Sequence, residues 1–143
     1  MAKEYKNPAA TATLIVQRED KLLLIQRKNE PYKDFWALPG GFLECGKETL
    51  EEAGVRELGE ETGLVTKVED LILLRVASEP DRDPRGHVID HVYVVSNYSG
   101  TVEAKDDAKD YKWFSFNNLP PIAFDHIKAI KIYMEKGYHY IEK

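Results

Sequence analysis

Seven glutamates fall between Glu44 and Glu61, and most of them lie in one segment whose ends are marked as those of a helix. Thr49 with Glu52 fits a capping box, and Gly63 supplies a C-terminal stop, so the segment Thr49 to Thr62 reads as a helix. On a helical wheel Glu57, Glu60 and Glu61 fall within about 100° of each other. Three carboxylates on one stripe repel each other unless solvent or cations screen them. Hard divalent cations take oxygen ligands, so the stripe suits Mg²⁺ or Mn²⁺. Arg56 lies four residues from both Glu52 and Glu60, where a charge-assisted hydrogen bond would orient Glu60. Taken alone, the stripe is more often a solvated face, because glutamate favours helices and such charge stripes are common.

The flanking segments read mainly as strands. Ala9–Val16 is apolar and β-prone, the residues from Arg18 to Asp20 make a polar turn, and Lys21–Arg27 returns as a second strand. Phe35–Leu38 is short and apolar, and the run from Pro39 to Gly41 breaks it. Leu71–Ala77 and Val88–Ser96 are strands on either side of a proline-rich loop from Glu79 to Gly86. Gly100–Ala104 and Lys112–Phe116 are shorter strand candidates. After Pro120 and Pro121, the residues Phe124, Ile127, Ile130 and Met134 recur at helical spacing. This order predicts an α/β fold, a mixed sheet with helices packed on it.

The totals narrow the class. At 143 residues the chain fits one domain, residues 1–143. Apolar residues make up 43%, enough for a core, and the charge of −5 is no footprint for nucleic acid. Cys45 is the only cysteine, so no internal disulfide forms. The N-terminus has no apolar signal region, and the longest apolar runs are too short for a bilayer. A soluble, cytoplasmic protein without membrane contact is the expectation.

The neighbours of the helix are more specific than the helix itself. Gly41 is followed by Glu48, then by seven residues, then by Arg56, Glu57, Leu58, Gly59, Glu60, Glu61, Thr62, Gly63 and Leu64. This closely resembles the Nudix box, and from Glu48 to Leu64 every fixed position matches. One departure stands out: six residues separate Gly41 from Glu48 where the family usually has five. Placing the extra residue around Gly46 and Lys47 keeps Glu48 in register with Arg56. The run from Trp36 to Gly41 is similar to the family's entry to the box. The loop from Asp81 to His87, the residues from Asp106 to Ala108, and the segment from Ala123 to His126 are similar to the branch of ADP-ribose pyrophosphatases.

The resemblance implies a Nudix-like α/β/α sandwich and a Mg²⁺-dependent hydrolase, with Mn²⁺ as the other candidate ion. It puts Glu57 and Glu61 at the principal metal-ligand positions, Glu60 beside them, Glu48 at a more variable one, and the Gly41 carbonyl as a backbone ligand. A carboxylate must accept the proton of the attacking water. That base is one of the box glutamates or a later acid, for which Asp107 and Asp110 are the nearest candidates. Asp is also common in turns, so both fit a solvated turn as well. Arg27, Arg85 and Trp36 are the candidate substrate contacts, against a surface arginine, an ordinary loop arginine and a core tryptophan. His87 and His126 lack metal-ligand spacing and read as polar surface or loop groups.

The implied partner is a small nucleotide, with no nucleic acid, and a homodimer is a common assembly in that branch. ADP-ribose, cleaved to AMP and ribose 5-phosphate, is the leading substrate. An oxidised nucleoside triphosphate or a dinucleoside polyphosphate would use the same box with different pockets. A non-catalytic module that binds a nucleotide and regulates a partner is the third reading. The intact Glu57, Glu60 and Glu61 speak against it, as does the lack of room for an added DNA-binding domain.

Overall fold

The computed structural model describes residues 4–103 and 108–136. In chain order the strands are β1 (Ala9–Ile15), β2 (Gln17–Arg18), β3 (Lys21–Arg27), β4 (Trp36–Ala37), β5 (Gly40–Phe42), β6 (Leu71–Ala77), β7 (Val88–Val95) and β8 (Ala108–Ser115). The helices are α1 (Leu50–Thr62), α2 (His126–Glu135) and one short 3₁₀ turn, Val68–Asp70.

Most of β1 and β7 is buried, which is why both read as nearly unbroken apolar runs. Successive side chains point to opposite faces. Ala12, Leu14, Val16, Tyr93 and Val95 join Ala53 and Leu58 of α1 in one core cluster. Ile15, Val92 and Val94 join Ala129, Ile130 and Tyr133 of α2 in the other. The sheet β5-β1-β7-β6 therefore lies between two helices, the expected α/β/α sandwich. It is mixed: β1 runs parallel to β7, while β5 and β6 are antiparallel to their neighbours. A second, antiparallel sheet is built around β3, which pairs with β2, β4 and β8. Among the described residues no helix is long and apolar enough to cross a membrane.

The ends of α1 are set by local chemistry. Thr49 Oγ1 accepts from the Glu52 amide at 3.1 Å, and Glu52 Oε1 accepts from the Thr49 amide at 2.9 Å. Gly63 takes the left-handed conformation, φ 79°, and its N–H bonds the Gly59 carbonyl.

Several expectations change. Gly40 and Gly41 do not simply break the chain but pair with Thr13 and Ala12 as an edge strand, because a ladder of main-chain bonds needs no side chain. Residues 100–103 form no strand. The Glu103 amide instead bonds the Thr62 carbonyl at 2.7 Å, serving the end of α1. Ala104 lies outside the described residues. The last strand starts earlier than Lys112, at Ala108, where pairing to β3 rather than apolar periodicity holds it. The final helix starts at His126, since Phe124 has φ 54°.

Removing the N-terminal cap tests this account. Thr49→Ala should cost about 1 kcal/mol of stability, a fall in Tm of roughly 3 °C for a domain of this size. The control Thr101→Ala, at an exposed uncapped position, should leave Tm unchanged. Equal melting of the two variants would show that the capping bonds contribute nothing.

Candidate active site

The C-terminal half of α1 lies against β5, and the contact is close. A Cβ on Gly41 would stand 2.4 Å from the Glu57 carboxylate carbon, so in this arrangement the carboxylate lies against the bare glycine backbone. One turn further on, Glu61 is buried and accepts the Gly40 amide at 2.7 Å. The peptide planes of β5 and the two glutamates thus form one oxygen-rich wall.

Arg56 organises the other carboxylates. It donates from Nε and Nη2 to the two oxygens of Glu48 at 2.9 and 2.8 Å, a bidentate pair. Its Nη1 donates to Glu57 at 3.0 Å and Glu60 at 2.6 Å, and its Nη2 also reaches the Phe42 carbonyl at 3.1 Å. Glu52, also four residues away, does not pair with Arg56 because its carboxylate closes the capping box. The extra residue before Glu48 is taken up in a solvent-facing turn, with Gly46 at φ 78° and the Lys47 amide on the Glu44 carbonyl. Glu48 therefore keeps its bond to Arg56. The Arg56 side chain, aided by the Glu44 amide, pulls the Glu48 carboxyl down to about 2.

These groups border a cavity of about 380 Å³, within the usual range for small-ligand sites. Gly41, Arg56, Glu57 and Glu61 line it, while Glu48 and Glu60 are joined to the lining through Arg56. Arg27 and Arg85 line the same cavity. Arg27 Nε donates to the Pro31 carbonyl at 2.7 Å, and its guanidinium lies 5.0 Å from the Phe124 ring centre. Arg85 is held by the buried Asp83 through Nε and Nη2 at 3.0 and 2.8 Å, and lies over Phe42 and Phe124.

Among the described residues no group of three acids, histidines or cysteines closes around a metal ion. The donor set still fits one. It is all oxygen, it has the opening that Gly41 leaves, and Mg²⁺ uses only one or two carboxylates beside water and phosphate. Glu57, Glu61 and the Gly41 backbone, with Glu60 and Glu48 adjoining, are the residues that would hold it.

Three sequence expectations need correction. Asp110 is not at the cavity. It lies opposite Gln26 on β8, exposed, and its carboxylate accepts the Tyr111 amide. Trp36 does not line the cavity either, and packs edge-on against Phe114 with ring centres 5.0 Å apart. His126 is no surface group: it is buried, it lines the cavity, and its Nδ1 accepts the Leu38 amide at 3.2 Å. Asp107 lies outside the described residues. His87 is a loop group, bonded to the Ser78 carbonyl, and Cys45 is exposed.

The sequence reading missed Asp83, Asp90, Arg82 and Asp125. Asp90 had a visible signal, a lone acid inside an apolar strand. Arg82 and Asp125 lie in the two segments that resemble the ADP-ribose pyrophosphatase branch, but their pairing had no local signal, because residues 43 apart meet only in the folded chain.

A family model described as "NUDIX domain" matches residues 6–134. A protein of Methanocaldococcus jannaschii named ADP-ribose pyrophosphatase is 55% identical over 130 residues, covering 91% of this chain and 75% of its own. A Francisella tularensis structure, titled a bifunctional NMN adenylyltransferase/ADP ribose pyrophosphatase complexed with AMP and Mn ion, superposes with a TM-score of 0.78 at 38% identity. It covers 94% of this chain and 43% of that one. The NUDIX domain of Shewanella oneidensis NrtR, in complex with ADP ribose, superposes with a TM-score of 0.81 at 28% identity, covering 92% and 90%.

The depressed Glu48 carboxyl sets a pH dependence. A folded pKa near 2 against an ordinary 4.5 contributes stability that is present above 4.5 and lost as pH falls through 2. With metal chelated, Glu48→Gln should melt below the wild type at neutral pH, and the gap should close across that window. A gap independent of pH would mean that the Arg56–Glu48 pair contributes no charge-dependent stability.

Proposed function

The chain belongs to the Nudix family, and from that membership we propose that it hydrolyses ADP-ribose to AMP and ribose 5-phosphate with a divalent cation, Mg²⁺ or Mn²⁺. The observation that carries the reading is that carboxylates ordered by Arg56 and the two arginines Arg27 and Arg85 line one cavity of small-ligand size. Carboxylates alone would repel a diphosphate, so this cluster suits the substrate only with cations between them. The 55% identity to a protein named ADP-ribose pyrophosphatase supports the choice of substrate.

Each residue then has a physical task. Arg27 and Arg85 neutralise phosphate oxygens, and both are already oriented by carbonyl, carboxylate and ring contacts, so little ordering cost remains. Arg56 keeps Glu48 ionised and directs Glu48, Glu57 and Glu60. A bound divalent cation would neutralise diphosphate oxygens and make water a better nucleophile. One of the glutamates accepts the proton of the attacking water. Of the two later acids proposed from sequence, Asp110 does not line the cavity and Asp107 lies outside the described residues, while Glu57 and Glu61 line it and are the candidates among the described residues.

A nucleotide-sensing module is the second reading, favoured by the NrtR domain seen with ADP ribose. The two are separated by turnover. With Mg²⁺, ADP-ribose should be cleaved with a higher kcat/KM than 8-oxo-dGTP, with AMP and ribose 5-phosphate as products by chromatography. Tight binding of ADP-ribose without products would favour the sensor, and preference for the triphosphate would change the substrate class.

Glu57→Gln should separate catalysis from folding. Gln keeps shape and helix propensity while removing one charge from a crowded stripe, so stability without metal should change by only a few tenths of a kcal/mol. Turnover should fall by several orders of magnitude, and the rise in Tm on adding Mg²⁺ should shrink. Near-normal turnover at saturating Mg²⁺ would remove α1 as the metal-binding element.

A further inference from the structure

Two buried groups on the cavity floor take no part in the glutamate cluster. Asp90, on β7, is 2% exposed. Its Oδ1 accepts from Thr11 Oγ1 at 2.8 Å and Thr13 Oγ1 at 2.7 Å. Its Oδ2 stands 3.7 Å from Arg82 Nη2, beyond hydrogen-bond reach, and receives no hydrogen bond from the described residues. Arg82 itself is held by Asp125.

His126 is 8% exposed and opens α2. Its Nδ1 accepts the Leu38 N–H. A backbone amide can only donate, so Nδ1 is bare and the neutral ring carries its proton on Nε2. Burial, opposed by the charges of Asp90 and Asp125, holds the ring below its ordinary pKa, which favours the neutral form, and the Leu38 bond fixes its tautomer. Among the described residues nothing accepts from Nε2–H, and both His126 and Asp90 line the cavity. Among the described residues no buried side-chain polar atom lacks a hydrogen-bond partner, so Asp90 Oδ2 and His126 Nε2 open onto the cavity, where a ligand or water can complete them.

The pair selects the ligand by chemistry. A phosphate oxygen offers only acceptors and would be repelled by Asp90. A cation would meet Asp90, but a protonated Nε2 cannot ligate it. A hydroxyl both donates and accepts, and two adjacent hydroxyls satisfy both groups at once. We propose that Asp90 Oδ2 and His126 Nε2–H bind the vicinal hydroxyls of a ribose of the substrate, Asp90 accepting from one and His126 donating to the other. The assignment rests on the ADP-ribose reading above. It makes the two residues specificity-determining contacts for the sugar, apart from the carboxylates that serve the diphosphate.

Two substitutions divide the roles of His126. In His126→Asn the side-chain carbonyl stands where Nδ1 does, so the Leu38 bond survives and the ε-side donor is lost. In His126→Gln the amide reaches the Nε2 position and the Leu38 bond is lost. Sugar binding predicts that Asn raises KM for ADP-ribose roughly tenfold, with smaller changes in kcat and Tm. Gln should hold KM near the wild type while lowering Tm. The opposite pattern, Gln impairing KM and Asn harmless, would mean that His126 only anchors Leu38, and would overturn the proposal.

Two analogues then locate the diol, one lacking the 2′-hydroxyl of the adenosine ribose and one lacking a hydroxyl of the terminal ribose. The analogue whose missing hydroxyl is the one read should raise KM in the wild type and add nothing in His126→Asn. Full additivity with both analogues would also overturn the proposal. Wild-type turnover of ADP-ribose, measured first, separates the two failures. Its absence would defeat the hydrolase reading and this inference together, whereas turnover without coupling defeats this inference alone.

Discussion

One guanidinium holds the catalytic end of this molecule in shape. Arg56 bonds the loop before α1 through Glu48 and the Phe42 carbonyl, and bonds its own helix through Glu57 and Glu60. Without it, the glutamates would repel one another and turn to solvent. A lysine could not replace it, because a point charge on a flexible stem lacks the planar fork that serves Glu48 with two donors and Glu57, Glu60 and Phe42 with the rest. The pairs are only partly buried, so their value is more in direction than in stability.

Direction matters because α1 and β5 meet at a glycine. Gly41 lets the Glu57 carboxylate lie against the backbone, and the Gly40 amide fixes Glu61 beside it. Both glycines are in turn held by the ladder to Ala12 and Thr13 on β1, a strand in the middle of the core. A central, mostly buried strand of the sheet thus sets the position of the carboxylate cluster, which limits the reorganisation that binding must overcome. The rest of the cavity lining is built differently. Arg85 depends on the buried Asp83, and the floor on Asp90 between Thr11 and Thr13. Asp83 lies two residues from Arg85, whereas Thr11 and Thr13 are 79 and 77 residues from Asp90.

The two parts of the lining were unequally legible. Everything on the α1 side follows from short-range spacing. The capping box, the terminal glycine, the glutamate stripe and the match from Glu48 to Leu64 lie within about one helix length, and the structure keeps them in that register. Even the extra residue at Gly46 and Lys47 could be placed, because the helix tolerates no shift while a solvent turn does. Strand edges were read less well where backbone pairing, not side-chain pattern, decides them, as in β5 and at the start of β8.

The sequence by itself determined the helix, its carboxylate stripe, the family resemblance and an α/β sandwich, since each rests on periodicity or spacing between near neighbours. Only the tertiary structure decided which acids face the cavity. It removed Asp110 and Trp36 from it, and it brought in Asp90 and His126 through a parallel pairing of β1 with β7 and the docking of α2 beside Leu38. The physical reason is that a side chain's burial and hydrogen-bond partners depend on segments far away in the chain. Thr11 and Asp90 are 79 residues apart, and Leu38 and His126 are 88 apart, so no local pattern carries those contacts.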